Sequence, residues 1–333
     1  MPEIRQNLAT REWVVIATER AVRPEDFKSK ERAKTEARPA RVEACPFCPG
    51  NESKTPDELF RVESGGGGWS VRVIPNKFAA LKTEGERMRR IDGVERVMAG
   101  IGYHEVIVED PVHNTTIALL PRESVANVLT AYRERHLAIA GDRRMELVII
   151  FKNHGAAAGT SLEHPHSQLI ALPVVPSQIR HRMQDAIVFH DDYGECVYCR
   201  MLRDELAAKT RIVAESERFA AFVLYAAASP FHTWILPRRH AASFGTIGDE
   251  EIADLASVLR ATLRKLYVGL GDPDYNFVVR SAPIGLENAT YFHWYIAIVP
   301  RLSKAAGFEL GSGMFINTAL PEDSAAFMRK VEG

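Results

Sequence analysis

The chain lacks a charge excess of either sign: 42 Lys and Arg stand against 43 Asp and Glu. That balance excludes a surface that attracts nucleic acid or an anionic membrane as a whole, so any polyanionic ligand must be held locally. No window approaches the roughly 18 consecutive apolar residues of a spanning helix. The first twenty residues also lack the continuous apolar stretch of a signal peptide, so a cytoplasmic protein without membrane or nucleic-acid partners is expected. Cysteine is scarce too, at four residues, which excludes a disulfide framework. The four fall as two C-x-x-C pairs, Cys45/Cys48 and Cys196/Cys199, a spacing used in reducing compartments for metal sites or redox motifs.

What is present is a large core and an internal echo. Hydrophobic residues make up 46% of 333 residues, more than one small core needs, so two domains or two half-domains are expected. Residues 1 to 44 are polar, and the stretch from Glu25 to Glu43 reads as an exposed connection. The text then turns to β-rich runs such as WSVRVIP and YHEVIVED, a helix over about 122–140, and the strands ELVIIFKNHG and HSQLIALPVV. After residue 185 the order returns: a C-x-x-C pair, strands around FAAFVLYA and HTWILP, a helix over about 248–268, then NFVVRS and HWYIAIVP. His113 precedes His164 by 51 residues and His240 precedes His293 by 53, and each later histidine opens a β-like run ending in proline. The predicted organisation is a half spanning residues 1–185 and a second spanning 186–333.

Two thiolates and two imidazoles complete a tetrahedral shell of the structural type, so zinc is expected at Cys45, Cys48, His113 and His164 and again at Cys196, Cys199, His240 and His293. Reduced thiols or a redox pair are the alternatives; thioredoxin-like chemistry wants its C-x-x-C at the start of a helix, which the text does not offer. The strongest signal is NHGAAAGTSLEHPHSQ, residues 153–168. Its small residues, Gly159 among them, let backbone amides approach a phosphate, and Ser161 and Gln168 can donate to phosphate oxygens. His166, two residues from His164 on an extended strand, shares its side and is the nucleophile candidate. A lone histidine in a β-rich segment is more often a packed structural residue, and His104, His136, His154, His181, His190 and His232 are read that way. The loop before it, a second histidine and Gln168 set His166 apart.

These residues resemble the galactose-1-phosphate uridylyltransferase family of the histidine-triad superfamily, whose signature is H-P-H-x-Q after an N-x-G-A-x-x-G-x-S loop. The resemblance extends to CPFC, to PVH at residues 111–113, to RAVRP at 20–24 and to PNKFAAL around Asn76. It implies an α+β fold of two histidine-triad-like half-domains, each an antiparallel sheet with flanking helices. It implies nucleotidylation of His166, phosphoryl contacts from Gln168 and Ser161, phosphate-binding arginines at Arg20 and Arg23, and Asn76 and Asn153 beside the nucleotide. It also implies a first zinc site at Cys45, Cys48, His113 and His164, and a homodimer with shared active sites.

The expected activity is therefore UDP-glucose:hexose-1-phosphate uridylyl transfer through a covalent nucleotidyl-histidine. Ser167 within the motif and the missing glutamine in AGFELGSGMFIN resemble instead the ADP-glucose phosphorylase branch, with inorganic phosphate as acceptor. A histidine-triad nucleotide hydrolase and a zinc-stapled nucleotide-binding protein are the remaining readings.

Overall fold

The computed structural model describes residues 1–18, 22–28 and 34–332. Its first strands, β1 (Glu3–Gln6) and β2 (Trp13–Ile16), precede β3 (Phe60–Glu63), β4 (Trp69–Pro75), the exposed hairpin β5 (Arg89–Asp92) and β6 (Glu95–Met98), and β7 (Tyr103–Val108). Helix α1 (Arg122–Ala140), β8 (Leu147–His154) and β9 (His166–Leu172) follow. Then come α2 (Ser177–Tyr193), α3 (Val197–Ala208), β10 (Ile212–Glu215), β11 (Phe219–Val223), β12 (Thr233–Pro237), α4 (Asp249–Leu270), β13 (Tyr275–Arg280) and β14 (Tyr295–Pro300). The chain closes with α5 (Gly307–Ser312), β15 (Phe315–Asn317) and α6 (Pro321–Lys330).

Ten strands form one antiparallel sheet in the order β3-β4-β7-β9-β8-β13-β14-β12-β11-β10. The centre is the β8–β13 pair, with Ile150 opposite Val279 and Asn153 opposite Asn276. Outward from that seam the order is β8, β9, β7, β4, β3 on one side and β13, β14, β12, β11, β10 on the other, so the duplication read in the sequence is a duplication in space. The fold is α+β, as expected.

One face of the sheet carries α1 and α4. In α1 the buried Val125, Val128, Leu129, Tyr132, His136 and Ile139 recur at three- and four-residue spacing, which turns one stripe to the sheet. In α4 the same spacing runs from Ile252 to Leu270, and Gly271 ends the helix at φ +73°, a left-handed value that glycine adopts without a Cβ penalty. Burying each large aliphatic side chain on this face contributes about 1.5–3 kcal/mol. Strand alternation sends Leu169 and Ala171 to that core, while Val106 and Val108, paired with Gln168 and His166, turn to a second cluster around Cys45, Phe47 and Cys48.

The N-terminal reading needs correction. Within the segment 1–44 read as polar, Glu3–Gln6 and Trp13–Ile16 are strands, with Val14 and Ile16 buried against Ala226 and β15 pairing parallel to β2. Thr35, inside the stretch read as exposed, is buried and bound to Asp272. Helices α2 and α3 were absent from the sequence reading: α2 buries only Ile179, Met183 and Ala186, a stripe too thin to stand out. Among the described residues, no helix is long and apolar enough to cross a membrane.

His136 lies in this core, and burial pulls its pKa from 6.5 down to about 4. Its neutral form belongs to the fold, so its contribution to stability is complete above pH 6.5 and is lost as pH falls from 6.5 through 4. Urea titrations across that window should show His136→Leu with a shallower acid loss than the parent, by on the order of 3 kcal/mol; equal slopes would remove His136 as the cause.

Candidate active site and metal centres

Cys45, Cys48, His113 and His164 converge with all their ligand atoms within 4.8 Å of one another, and all four are buried. Cys48 Sγ lies 3.5 Å from His113 Nδ1 and 3.6 Å from His164 Nδ1. The His164 Nε2–H donates to the Asp110 carbonyl at 2.8 Å, which fixes the tautomer and leaves the Nδ1 lone pair facing the cluster. Burial holds the His164 imidazole down at about 4, in the neutral form a metal requires. Two sulfurs and two imidazole nitrogens in a closed, buried shell can hold a metal ion with tetrahedral preference.

The second cluster brings together Cys196, Cys199 and His240. Cys199 Sγ is 3.3 Å from His240 Nδ1, and the opposite nitrogen, Nε2–H, donates to the Ala289 carbonyl at 3.0 Å, the same arrangement as at His164. His293 stands outside the three-member group, with its ring centroid 5.4 Å from that of His240. Its Nδ1–H donates to the Trp294 carbonyl, and its Nε2 is buried without a partner, an orphaned lone pair beside three metal-type donors. The second C-x-x-C does stand at the start of a helix, with Cys196 as the N-cap of α3, but the strand that follows, β10, pairs antiparallel rather than in a βαβ unit.

His166 begins β9 and is buried. Its Nδ1–H donates to the His164 carbonyl at 2.8 Å; a carbonyl can only accept, so the Nε2 carries the lone pair. Burial, opposed by that hydrogen bond, lowers the pKa of the ring, which keeps the nitrogen unprotonated at neutral pH. The edge of Phe47, from the C-x-x-C turn, packs at 5.6 Å between centroids. Beneath the strand, Lys152 Nζ donates to the His166 carbonyl at 3.1 Å and to Glu109 at 2.6 Å, and Glu109 also accepts from the Ser167 hydroxyl. The backbone on both sides of His166 is thus pinned.

Two cavities, of about 420 and 570 Å³, meet at His166, and Ser161 and Leu162 also line both. The smaller opens over Asn153, Gly155 and Arg38; the larger over Asn76, Lys77 and Gln168. Gln168 Oε1 accepts from the His104 Nε2–H at 2.8 Å, which leaves the Gln168 amide protons for the cavity. His104, read from sequence as a packing residue, is a partner of the motif glutamine, and Ala80 N–H donates to its other nitrogen at 3.2 Å.

The loop after β8 turns at Gly155, with φ +85° and ψ 163°, a conformation open to glycine. In this structure the amides of Ala158, Gly159 and Thr160 bond to loop carbonyls and that of Ala157 to Asp274 at 2.6 Å, so they do not form the expected free cradle. The loop is held instead from the second half: Asn276 donates to Asn153 Oδ1 at 2.8 Å and to the Ala158 carbonyl at 2.9 Å. His154 bonds Asp272 at 2.6 Å and stacks on Tyr275. Burial opposes charge on Asp272, yet His154 and Thr35 hold its pKa down at about 2.

Of the two expected phosphate arginines, Arg20 lies outside the described residues, and Arg23 is exposed and lines neither cavity. Cations the sequence reading missed do line them: Arg38 in the smaller, Lys54 and Lys77 in the larger. Arg38 sits near the first metal-type cluster only through the fold, since the His113 amide donates to the Ala40 carbonyl.

The sequence matches the galactose-1-phosphate uridyl transferase N-terminal domain over residues 1–176 and the C-terminal domain of the same family over residues 177–315. The chain belongs to this family. It is similar to the ADP-glucose phosphorylase of Arabidopsis thaliana, 36% identical over 99% of this chain and 93% of that protein. The galactose-1-phosphate uridylyltransferase of Thermotoga maritima is 27% identical over 100% and 99%. Among solved structures, an Arabidopsis thaliana ADP-glucose phosphorylase with bound ADP-glucose superposes with a TM-score of 0.83 at 32% identity, covering 100% of this chain and 99% of that one.

Two measurements check the site's construction. Elemental analysis of His113→Ala should show one metal ion fewer per chain than the parent, and equal metal content would dissolve the first cluster. Lys152→Met strands Glu109 without its buried cation and should lower the unfolding free energy by about 3–5 kcal/mol in urea; a neutral result would show that the pair does not carry the strand.

Proposed function

We propose that this member of the family is a hexose-1-phosphate nucleotidylyltransferase that works by double displacement through His166. The observation that carries the reading is the ring's position: a buried imidazole with Nδ1–H committed and Nε2 free, standing where two cavities meet. The Nε2 lone pair attacks the α-phosphorus of a nucleotide sugar; a P–N bond forms and the P–O bond to the sugar phosphate breaks. The sugar 1-phosphate leaves with the electron pair, and an acceptor phosphate oxygen then takes the nucleotidyl group and frees the ring. Phosphates are good leaving groups, so no strong general acid is required. Gln168 and Ser161 donate to the phosphoryl oxygens, Asn76 and Asn153 border the nucleotide, and Arg38, Lys54 and Lys77 offset developing charge.

Zinc is the metal the donor sets suit, bound at Cys45, Cys48, His113 and His164, and at Cys196, Cys199 and His240 with His293 as the fourth ligand. Its role is structural: at the first site it would fix His164, whose carbonyl orients the nucleophile. Residues 1–185 are read as the catalytic half and 186–333 as the supporting half. The exposed Phe308, Leu310 and Phe315 near the C-terminus support a homodimer, and thiolate ligands suit the reducing cytoplasm.

In the first reading the donor is UDP-glucose and the acceptor galactose 1-phosphate. ADP-glucose with inorganic phosphate as acceptor is a second reading, favoured by the 36% identity to the Arabidopsis thaliana enzyme against 27% to that of Thermotoga maritima. Comparing kcat/KM for the two donors with each acceptor ranks them. With either donor, labelled glucose 1-phosphate should exchange into the nucleotide sugar without a second acceptor, and His166→Gly should lose that exchange by at least about a thousandfold. Exchange that persists in the glycine variant would end the reading.

A further inference from the structure

The second half holds a small pocket at the place where the first half holds the proposed nucleophile. Cys45-x-x-Cys48 corresponds to Cys196-x-x-Cys199, so Tyr198 stands for Phe47, and Tyr295, two residues after His293, stands for His166. The geometry repeats: Tyr198 and Tyr295 lie 5.4 Å apart between ring centroids, against 5.6 Å for Phe47 and His166. Across the sheet Tyr295 pairs with Arg280, as His166 sits across from the Asn153 end of β8. Helix α2 covers this face and brings Arg182, with Nη1 3.4 Å from the Tyr295 hydroxyl.

The pocket, of about 20 Å³, is lined by both guanidiniums and that phenol and by no Asp or Glu. Among the described residues Arg182 has one carboxylate in reach, the half-exposed Glu12 at 4.0 Å. Among the described residues Arg280 has no ion pair and no side-chain hydrogen bond, and its Nε is buried without a partner. Beside them both ring nitrogens of His232 are buried and unpartnered, and burial together with the two arginines drives its pKa down to about 3. Arginine does not shed its proton, so two charges of one sign stand together in a small pocket, with Arg182 18% exposed and Glu12 near it. A bound counterion would offset the repulsion between the two guanidiniums.

We propose that this pocket binds one small monovalent anion of the chloride class, held by Arg182, Arg280 and the Tyr295 hydroxyl. Size selects the ligand class: a space of 20 Å³ exceeds the roughly 10–15 Å³ that one water-sized particle needs, and a tetrahedral oxyanion needs several times more. The duplicated half thus keeps an anion-binding function at the position where its sister handles phosphate. Because Arg280 ends the strand β13 that also carries Asn276, the ion supports the strand that fastens the 155–160 loop.

Crystals of the full chain soaked in sodium bromide should show an anomalous peak between Arg182 and Arg280. At constant ionic strength, replacing gluconate by about 100 mM chloride should raise Tm by at least about 2 °C, and Arg280→Met should abolish that rise. Arg182→Met serves the same comparison where the first variant fails to fold. A pocket with water only and no bromide peak, or a chloride response equal in parent and variant, overturns the proposal.

Discussion

The His164 carbonyl accepts the Nδ1–H of His166 at 2.8 Å, while the ring of the same residue faces two cysteines and a second histidine. One residue therefore joins a rigid metal-type cluster to the tautomer of its neighbour. Both rings lie on one side of an extended strand because they are two residues apart, and that strand lies inside a ten-stranded sheet, which leaves it little freedom. Lys152 and Glu109 secure the opposite side of the backbone. The chemistry proposed for Nε2 depends on this double anchoring, since a ring free to rotate would offer either nitrogen.

Duplication gives the two halves different work. The first keeps an imidazole above its C-x-x-C aromatic; the second keeps Tyr295 and uses its seam strand β13 to hold the loop that borders the site. Asp272, Asp274 and Asn276 reach across the seam to His154, Ala157 and Asn153, three residues of the first half. A site built this way cannot be divided at the chain's midpoint without losing its wall.

Much of this was legible in the sequence because the relevant signals are local. The 153–168 segment carries loop, metal-type histidine and the proposed nucleophile within one stretch of chain, and α1 and α4 show themselves by apolar spacing. What escaped depends on the fold. Lys152 and Glu109 are separated by 43 residues and meet only through strand register. His104 looked ordinary because its partner, Gln168, lies 64 residues away, and α2 buries too few side chains to announce itself. The loop amides were expected to face a phosphate; the turn at Gly155 closes them on one another instead.

The position of the phosphorus on the ring tests this account most directly. Protein quenched with a nucleotide sugar, digested in alkali and analysed by ³¹P NMR should yield histidine modified at Nε2, the nitrogen that the His164 carbonyl leaves free. An adduct at Nδ1, or one on any residue other than His166, would contradict it.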